Sequence, residues 1–377
     1  MVNMERLRKL RLQNVHSFMK SSELDAIIVN TWDNVRYITD NRPPILIEWY
    51  IDGFICFLAK DSEPVVIGYP SDASVQAKFV PAPAQSFFPP LSLIDKWAQI
   101  ICKLAIEHHV TDGRIGVDYM SFAMSSKIQT FLPRATFVPI FEDLLRVRAV
   151  KNPEEIELLR EAASIVDIGM TKGLSLFKVG VSEREVYASM IAAILEAGSE
   201  GVPWSPILSS GEHSLRTEFV TDYKFRDGDF VPFDIGSIYQ GYIGDGARTG
   251  LVGNASLEGK NLYRDLYTAF VEGINAMKPG VYAAEIDTKV KSALQELGRE
   301  VYEHGTGHGI GLRGLELPWI ASEQILGSKG MMLEPGMVLA IEPRVQEKGL
   351  GLIRLEDMIL ITDAGHEVLT RTEFLAL

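Results

Sequence analysis

Residues 228–248 read GDFVPFDIGSIYQGYIGDGAR, and residues 336–342 read GMVLAIE. Each stretch starts at a glycine, enters an apolar strand and places a carboxylate six residues on: Asp234 in the first, Glu342 in the second. A strand this apolar is buried on at least one face, and a buried carboxylate is costly unless it is paired or bound to a metal. Eleven residues past Asp234 comes Asp245, beyond a turn at Tyr239-Gln240-Gly241. Side chains alternate along a strand, so a two-residue hairpin loop there puts both aspartates on one face, and a three-residue loop breaks that parity.

Upstream of each stretch the helices recur as well. Gly180-Val181 precedes a helix ending at Glu196-Ala197-Gly198, and Gly280-Val281 precedes one ending at Glu296-Leu297-Gly298, an offset of 100 residues at both ends. Helix and strand matches in the same order indicate an internal duplication around a pseudo-twofold axis. The second copy carries Glu342 in LAIEPR and Glu356 in LIRLEDMILI, with residues 345–351 expected as the turn between them. Four acids in one small interior repel each other and resist ionisation unless cations compensate. His308, in the glycine-rich HGTGHGIGL (304–312), adds an imidazole where glycines allow a close approach. An oxygen-rich set with one histidine suits divalent ions of the Mn, Co, Fe or Zn kind. The competing structural reading is an arginine or lysine partner for each acid, with Arg248 and Arg354 close enough in sequence to serve, and a satisfied core role for the histidine.

Further out, residues 4–20 repeat apolar side chains at helical spacing, and β-type runs follow at 25–29, 53–59, 64–69, 114–119 and 136–141, with helix-like stretches near 92–109 and 121–132. Strands alternating with helices predict an α/β domain over 1–145. A charged segment then leads to a helix start, with Asn152 as N-cap, Pro153 at the first position and Glu155 three residues after the cap; Ser182 and Glu185 repeat the capping pattern. Residues 146–377 are expected to form the second, α+β domain.

Composition narrows the function classes. The net charge of −13 disfavours phosphate backbones and anionic lipid, so nucleic-acid and membrane partners are not expected. Cys56 and Cys102 are too few for a disulfide framework, and the N-terminus has no continuous apolar signal region. A cytoplasmic location is the expectation.

At these residues the chain resembles the pita-bread metallopeptidase superfamily, which includes methionine aminopeptidase, aminopeptidase P, prolidase and the non-peptidase creatinase. FDIG…GDGART, HGTGHGIGL, AIEPR and RLED follow its ligand motifs in order, LLRVRAVKNPEEIELLREA is similar to the entry into its catalytic domain, and the N-terminal region looks like the creatinase-type domain of the aminopeptidase P and prolidase branch. The resemblance implies a pita-bread catalytic domain over 146–377 that holds two metal ions. Asp234 and Asp245 would chelate one ion, Asp245 bridging to the second; His308 would bind the second, and Glu342 and Glu356 would share the load, Glu356 as a bridge. It also implies a bridging hydroxide that attacks a polarised carbonyl, Glu342 as proton carrier, and His304 as an outer histidine facing ligands or substrate, unless its role is a structural hydrogen bond.

Two departures bear on the reaction. Proline-directed members carry histidines at the places that here hold Thr217 and Leu315. His213 and Glu316 stand nearby as candidate catalytic replacements, with ordinary structural roles as the alternative, while Leu315, Trp319 and Trp204 make the pocket more apolar. The expected activity is therefore hydrolysis of an amide or C–N bond in a small-molecule or short-peptide substrate, with true proline-peptidase activity in doubt. One alternative is a lyase resembling the dimethylsulfoniopropionate lyases, whose base would fall near Gly314 unless Glu316 substitutes; the other is a non-catalytic binding module. Relatives of this kind are usually homodimers, and segment 41–50 (NRPPILIEWY) is apolar and proline-marked, which suits reaching a partner, with a core loop as the alternative.

Overall fold

The structure is a computed structural model describing residues 2–41, 55–68, 77–81, 92–205 and 207–377. It divides into two compact units, Asn3–Arg148 and Ala149–Leu377. Residues 42–50 of the segment expected to reach a partner lie outside the described residues, as do the first two residues of the 53–59 run and the last of 64–69.

In the first unit, α1 (Met4–Ser21) leads into β1 (Ala26–Val29), α2 (Trp32–Thr39), β2 (Ile55–Ala59), β3 (Val65–Gly68), β4 (Lys78–Pro81), α3 (Ser92–Glu107), β5 (Arg114–Val117), α4 (Phe122–Phe131), β6 (Thr136–Pro139) and α5 (Phe141–Ala149). The strands form one mixed sheet in the order β4-β3-β2-β1-β5-β6, with β1, β5 and β6 parallel and β2 antiparallel to β1. Ile28, Phe57, Ile67 and Ile115 of the sheet pack with Ile101 and Leu104 of α3 and Ile128 of α4 in a continuous core. Helix α2 has no counterpart in the apolar pattern, because residues 33 to 39 are all buried and leave no polar face to read. Its polar members are paired instead: Arg148 donates to Asp33 Oδ2 at 2.5 Å and to Asn34 Oδ1 at 2.6 Å. Cys56 is buried and Cys102 half-buried, both as free thiols.

The second unit is two matching halves. Helices α6 (Pro153–Leu174) and α7 (Glu183–Glu196) precede the short β7 (Ile207–Leu208) and the long hairpin β8 (Phe230–Tyr239) and β9 (Tyr242–Leu251). Helices α8 (Leu257–Ala276) and α9 (Ala283–Glu296) precede β10 (Gly307–Gly309), β11 (Glu316–Ile320), α10 (Glu323–Leu326), β12 (Val338–Ile341), β13 (Arg344–Glu347), β14 (Gly351–Arg354), β15 (Asp357–Thr362) and β16 (Gly365–Val368). Asn152 and Ser182 both close full capping boxes with Glu155 and Glu185. The duplicated glycines adopt matching left-handed conformations: φ is +87° at Gly180 and +84° at Gly280, and +88° at Gly228 and +90° at Gly336. Their bonds match too, since Gly180 N–H donates to the Phe225 carbonyl and Gly280 N–H to that of Leu333, each at 2.9 Å. Each half has its own core, one around Val166, Met190 and Phe233, the other around Leu266, Val290 and Ile359. Among the described residues, no helix is long and apolar enough to cross a membrane.

Candidate metal centre

The β8–β9 turn consists of Gln240 and Gly241 alone, because Tyr239 pairs with Tyr242. Both turn residues have positive φ, +48° and +81°, as a two-residue turn matching the strand twist requires. Asp234 then pairs with Ala247 and Gly236 with Asp245, so the two aspartates share one face of the hairpin.

In the second half, residues 345–351 are only partly turn. Residues 344–347 and 351–354 pair as the β13–β14 ribbon, and the chain reverses between them. Glu342 and Glu356 sit at the root of that ribbon, where it forks from the β12–β15 pair whose last register partners are Ile341 and Asp357. A backbone bond from Glu356 N–H to the Ala247 carbonyl, 3.0 Å, fastens this root beside the β9 aspartate.

His308 is delivered by β10, which lies between β11 and β12. A Cβ at Gly307 would stand 2.2 Å from the Ala340 carbonyl oxygen, and one at Gly309 equally close to that of Leu317. Only glycine admits the strand this deeply. Nδ1 of His308 meets the Gly309 carbonyl at 3.0 Å and so carries the proton. Nε2 is thereby aimed at Asp245 Oδ2, 3.7 Å away, and Glu342 Oε1, 3.5 Å away.

The five side chains thus meet in two interlocking groups, Asp245–His308–Glu356 and Asp234–Glu342–Glu356, each with donor atoms within 4.8 Å of one another. Burial, with Asp234's charge next, pushes Asp245 well above the ordinary carboxylate range. Burial and the charge of Asp245 do the same to Glu356. Burial lifts Asp234 to about 6 against the pull of Arg354. His308 rises to about 9, since Glu342 and Asp245 outweigh the burial that opposes its charge. Glu342, less enclosed than the other four, is held below the usual glutamate range, because His308 and the arginines overcome its burial.

Whether these residues fit a divalent cation is answered by their unfilled oxygens. Asp234 Oδ1, Asp245 Oδ1 and Glu356 Oε2 are buried with no hydrogen-bond partner among the described residues. The arginine alternative accounts for little: Arg354 donates to Asp234 Oδ2 at 2.8 Å, but Arg248 turns to Asp357 and the carbonyls of Ala247, Glu356 and Thr372. One guanidinium against four carboxylates leaves an anionic cage of hard oxygens and one imidazole nitrogen, the donor set of a first-row divalent ion.

The other expected residues stand elsewhere. His304 is exposed, its Nε2 accepting from Arg344 Nε at 3.0 Å and its Nδ1 facing the Gly305 carbonyl. His213 is anchored by Glu183 at 3.2 Å and stacked on Tyr223. Glu316 is buried, 3.6 Å from Lys151 Nζ, and accepts from the Arg313 amide. Thr217 accepts from the Phe219 amide, and Leu315 is exposed. Trp319 is the cross-strand partner of His308, which puts it on the histidine's face. Trp204 fills the space where Gly236 lacks a side chain and touches the position of a Gly314 Cβ, so it walls the aspartate face.

One element escaped the sequence reading. Glu218 accepts from Arg344 at 2.7 Å and from Arg354 at 2.6 Å. The signal was available: in RVQEKGLGLIR, Arg344 and Arg354 are equidistant from Gly349, so a hairpin sets them opposite each other and calls for an anion.

Fold and cage together define a two-unit protein whose internally duplicated second unit gathers a candidate set of cation ligands. The chain belongs to metallopeptidase family M24, which matches residues 157–363, and residues 11–150 match the creatinase/prolidase N-terminal domain. It has the pita-bread fold of the prolidase-like branch, in a family whose members use divalent metals. It is 28% identical over 368 residues to an uncharacterized peptidase of Staphylococcus aureus, covering 96% of this chain and 99% of the relative. Uncharacterized peptidase YqhT of Bacillus subtilis is 27% identical, with 96% and 98% covered. Among solved structures, an Xaa-Pro dipeptidase from Bacillus anthracis superposes with a TM-score of 0.83 at 26% identity, covering 98% of this chain and 99% of that one. The prolidase from Pyrococcus horikoshii OT3 matches with a TM-score of 0.83 at 24% identity over 98% and 100% of the two chains, a likeness of fold.

Proposed function

We propose that this protein is a hydrolase of an amide or C–N bond in a small molecule or short peptide, and that Asp234, Asp245, His308, Glu342 and Glu356 hold two divalent cations. The observation carrying the reading is the pair of interlocking donor groups that share Glu356 and leave three buried carboxylate oxygens without partners among the described residues. Divalent ions in such a cage supply Lewis acidity toward a carbonyl and a water acidic enough to ionise near neutral pH. The chain's own part is to fix that chemistry in place. His308, its Nδ1 proton tied to the Gly309 carbonyl, presents Nε2 in one orientation. Glu342, half-open and held ionised, is placed to take a proton on its carboxylate and pass it to the leaving nitrogen. Trp204, against the aspartate face, and Trp319, on the histidine's face, set apolar surface beside the cage, which favours a substrate with an apolar group beside the scissile bond.

The prolidase and Xaa-Pro dipeptidase relatives make proline dipeptides the first substrates to try. Against them stand Thr217, engaged in its own turn, and exposed Leu315, neither of which offers an imidazole. The lyase alternative needs a base near Gly314, and Glu316 is engaged with Lys151 and the Arg313 amide, so hydrolysis is preferred.

Protein purified with excess Mn is expected to retain close to two ions per chain by elemental analysis. It is also expected to hydrolyse members of a mixed dipeptide and amide panel, and Glu342→Gln to lower kcat by at least about a hundredfold. Metal content near zero, or full activity in the Glu342→Gln variant, overturns the reading.

A further inference from the structure

Arg344 and Arg354 are direct cross-strand partners on the β13–β14 ribbon, the strand pair whose root carries Glu342 and Glu356. Like charges placed opposite each other on one face destabilise a ribbon. Glu218 lies between them, Oε1 against Arg344 and Oε2 against Arg354. Arg354 in turn reaches Asp234 with its other terminal nitrogen, contacting Oδ2 and leaving Oδ1 without a partner among the described residues. Arg344 also holds His304 and lies over the Tyr302 ring at 4.6 Å, which fixes the outer end of the chain of contacts.

We propose that Glu218 is a positioning residue for cation binding. By taking one nitrogen of Arg354, it restricts that guanidinium to a single contact on Asp234 and keeps the second oxygen of Asp234 open for a metal ion. It also cancels the repulsion between the two arginines, so the ribbon root holds Glu342 and Glu356 at the spacing seen. Without Glu218, Arg354 is free to lay both nitrogens on Asp234 or swing toward Glu342, and a fixed cation then competes with the mobile one. The inference rests on the proposed reading of the five side chains as metal ligands.

The test is Mn affinity measured by calorimetry on metal-stripped protein, alongside kcat and KM. Glu218→Gln is expected to weaken Mn binding about ten- to a hundredfold, the range found when groups that orient metal ligands are removed. Its kcat should return toward wild type at saturating Mn with KM little changed, because the residue acts through the ion. Glu218→Gln combined with Arg354→Gln should bind Mn more tightly than Glu218→Gln alone, since the competing guanidinium is gone; a merely structural residue gives losses that add. If Glu218→Gln does not fold, Glu218→Asp, which keeps the charge on a shorter arm, should still show weaker Mn binding than wild type. Affinity within twofold of wild type in the single variant, or a double variant weaker than the single, overturns the inference. Wild-type protein that takes up no Mn at all sinks the metal reading itself, an outcome separate from equal binding by wild type and variant.

Discussion

Stripping the metal exposes the electrostatic cost of the cage, and pH controls how much of that cost the protein bears. Asp234 is lifted from the ordinary aspartate value to about 6, and burial raises Asp245 and Glu356 well above the ordinary carboxylate range as well. Between the unfolded and folded values the native state holds more protons than the unfolded chain, so stability falls as pH rises through that window. For Asp234 alone, a shift from 3.8 to about 6 corresponds to about 3 kcal/mol lost between roughly pH 4 and pH 6. His308, raised to about 9, acts in the same direction over the interval above 6.5. Glu342, lowered, acts oppositely but only below its ordinary value of 4.5. The size is reasonable on direct grounds, since the grouped donor atoms lie within 4.8 Å of one another and two like charges at that outer limit repel by about 3.5 kcal/mol at an effective dielectric near 20. Between pH 5 and pH 8 about 1.4 kcal/mol of the Asp234 loss falls and His308 adds about 2 kcal/mol, so at about 2–4 °C per kcal/mol for a unit of this length the Tm of the metal-free second unit should drop by about 10 °C. Scanning calorimetry on chelator-treated protein, with and without excess Mn, reads this directly. Added Mn should raise Tm more at pH 8 than at pH 5, because at low pH the ion must displace protons. A metal-free Tm that is flat or rising from pH 5 to 8, or a Mn-induced shift independent of pH, refutes the picture of an acid cage held together by cations.

Two further outcomes follow from the same geometry. Asp245→Asn removes a charge from the crowded face of β9 and should raise the metal-free Tm at pH 8 while reducing Mn content and activity, so a lower metal-free Tm counts against the repulsion argument. Gly307→Ala puts a methyl 2.2 Å from the Ala340 carbonyl oxygen and forces β10 away from β12, with an expected loss of about 1–3 kcal/mol and of activity as His308 shifts; unchanged Tm and activity would show that the strand has room to move.

Much of this protein is written locally in its chain. The capping boxes at Asn152 and Ser182 and the alternation around Asp234 and Asp245 depend on residues within a few positions of each other, and a period or a cap survives whatever else packs nearby. The duplicated glycines announced the two halves for the same reason: left-handed backbone is a local demand that glycine meets without strain. The sequence also singled out five side chains that the fold brings together, because a carboxylate inside an apolar strand is anomalous wherever that strand ends up.

Only tertiary structure decided the surroundings. Helix α2 went unseen because burial on all sides erases the amphipathic period, and the span 345–351 proved to be two short strands around a turn because pairing, not composition, ends a strand. His213 faces Glu183 and Glu316 faces Lys151, partners 30 and 165 positions away, so no local pattern shows what those side chains touch. Trp204 at Gly236 and Glu218 between two arginines arise in the same way, from segments that meet only once the chain has folded. Periodicity and capping act over a few bonds and are legible along the chain, whereas desolvation and charge pairing depend on distance through space, which folding alone sets.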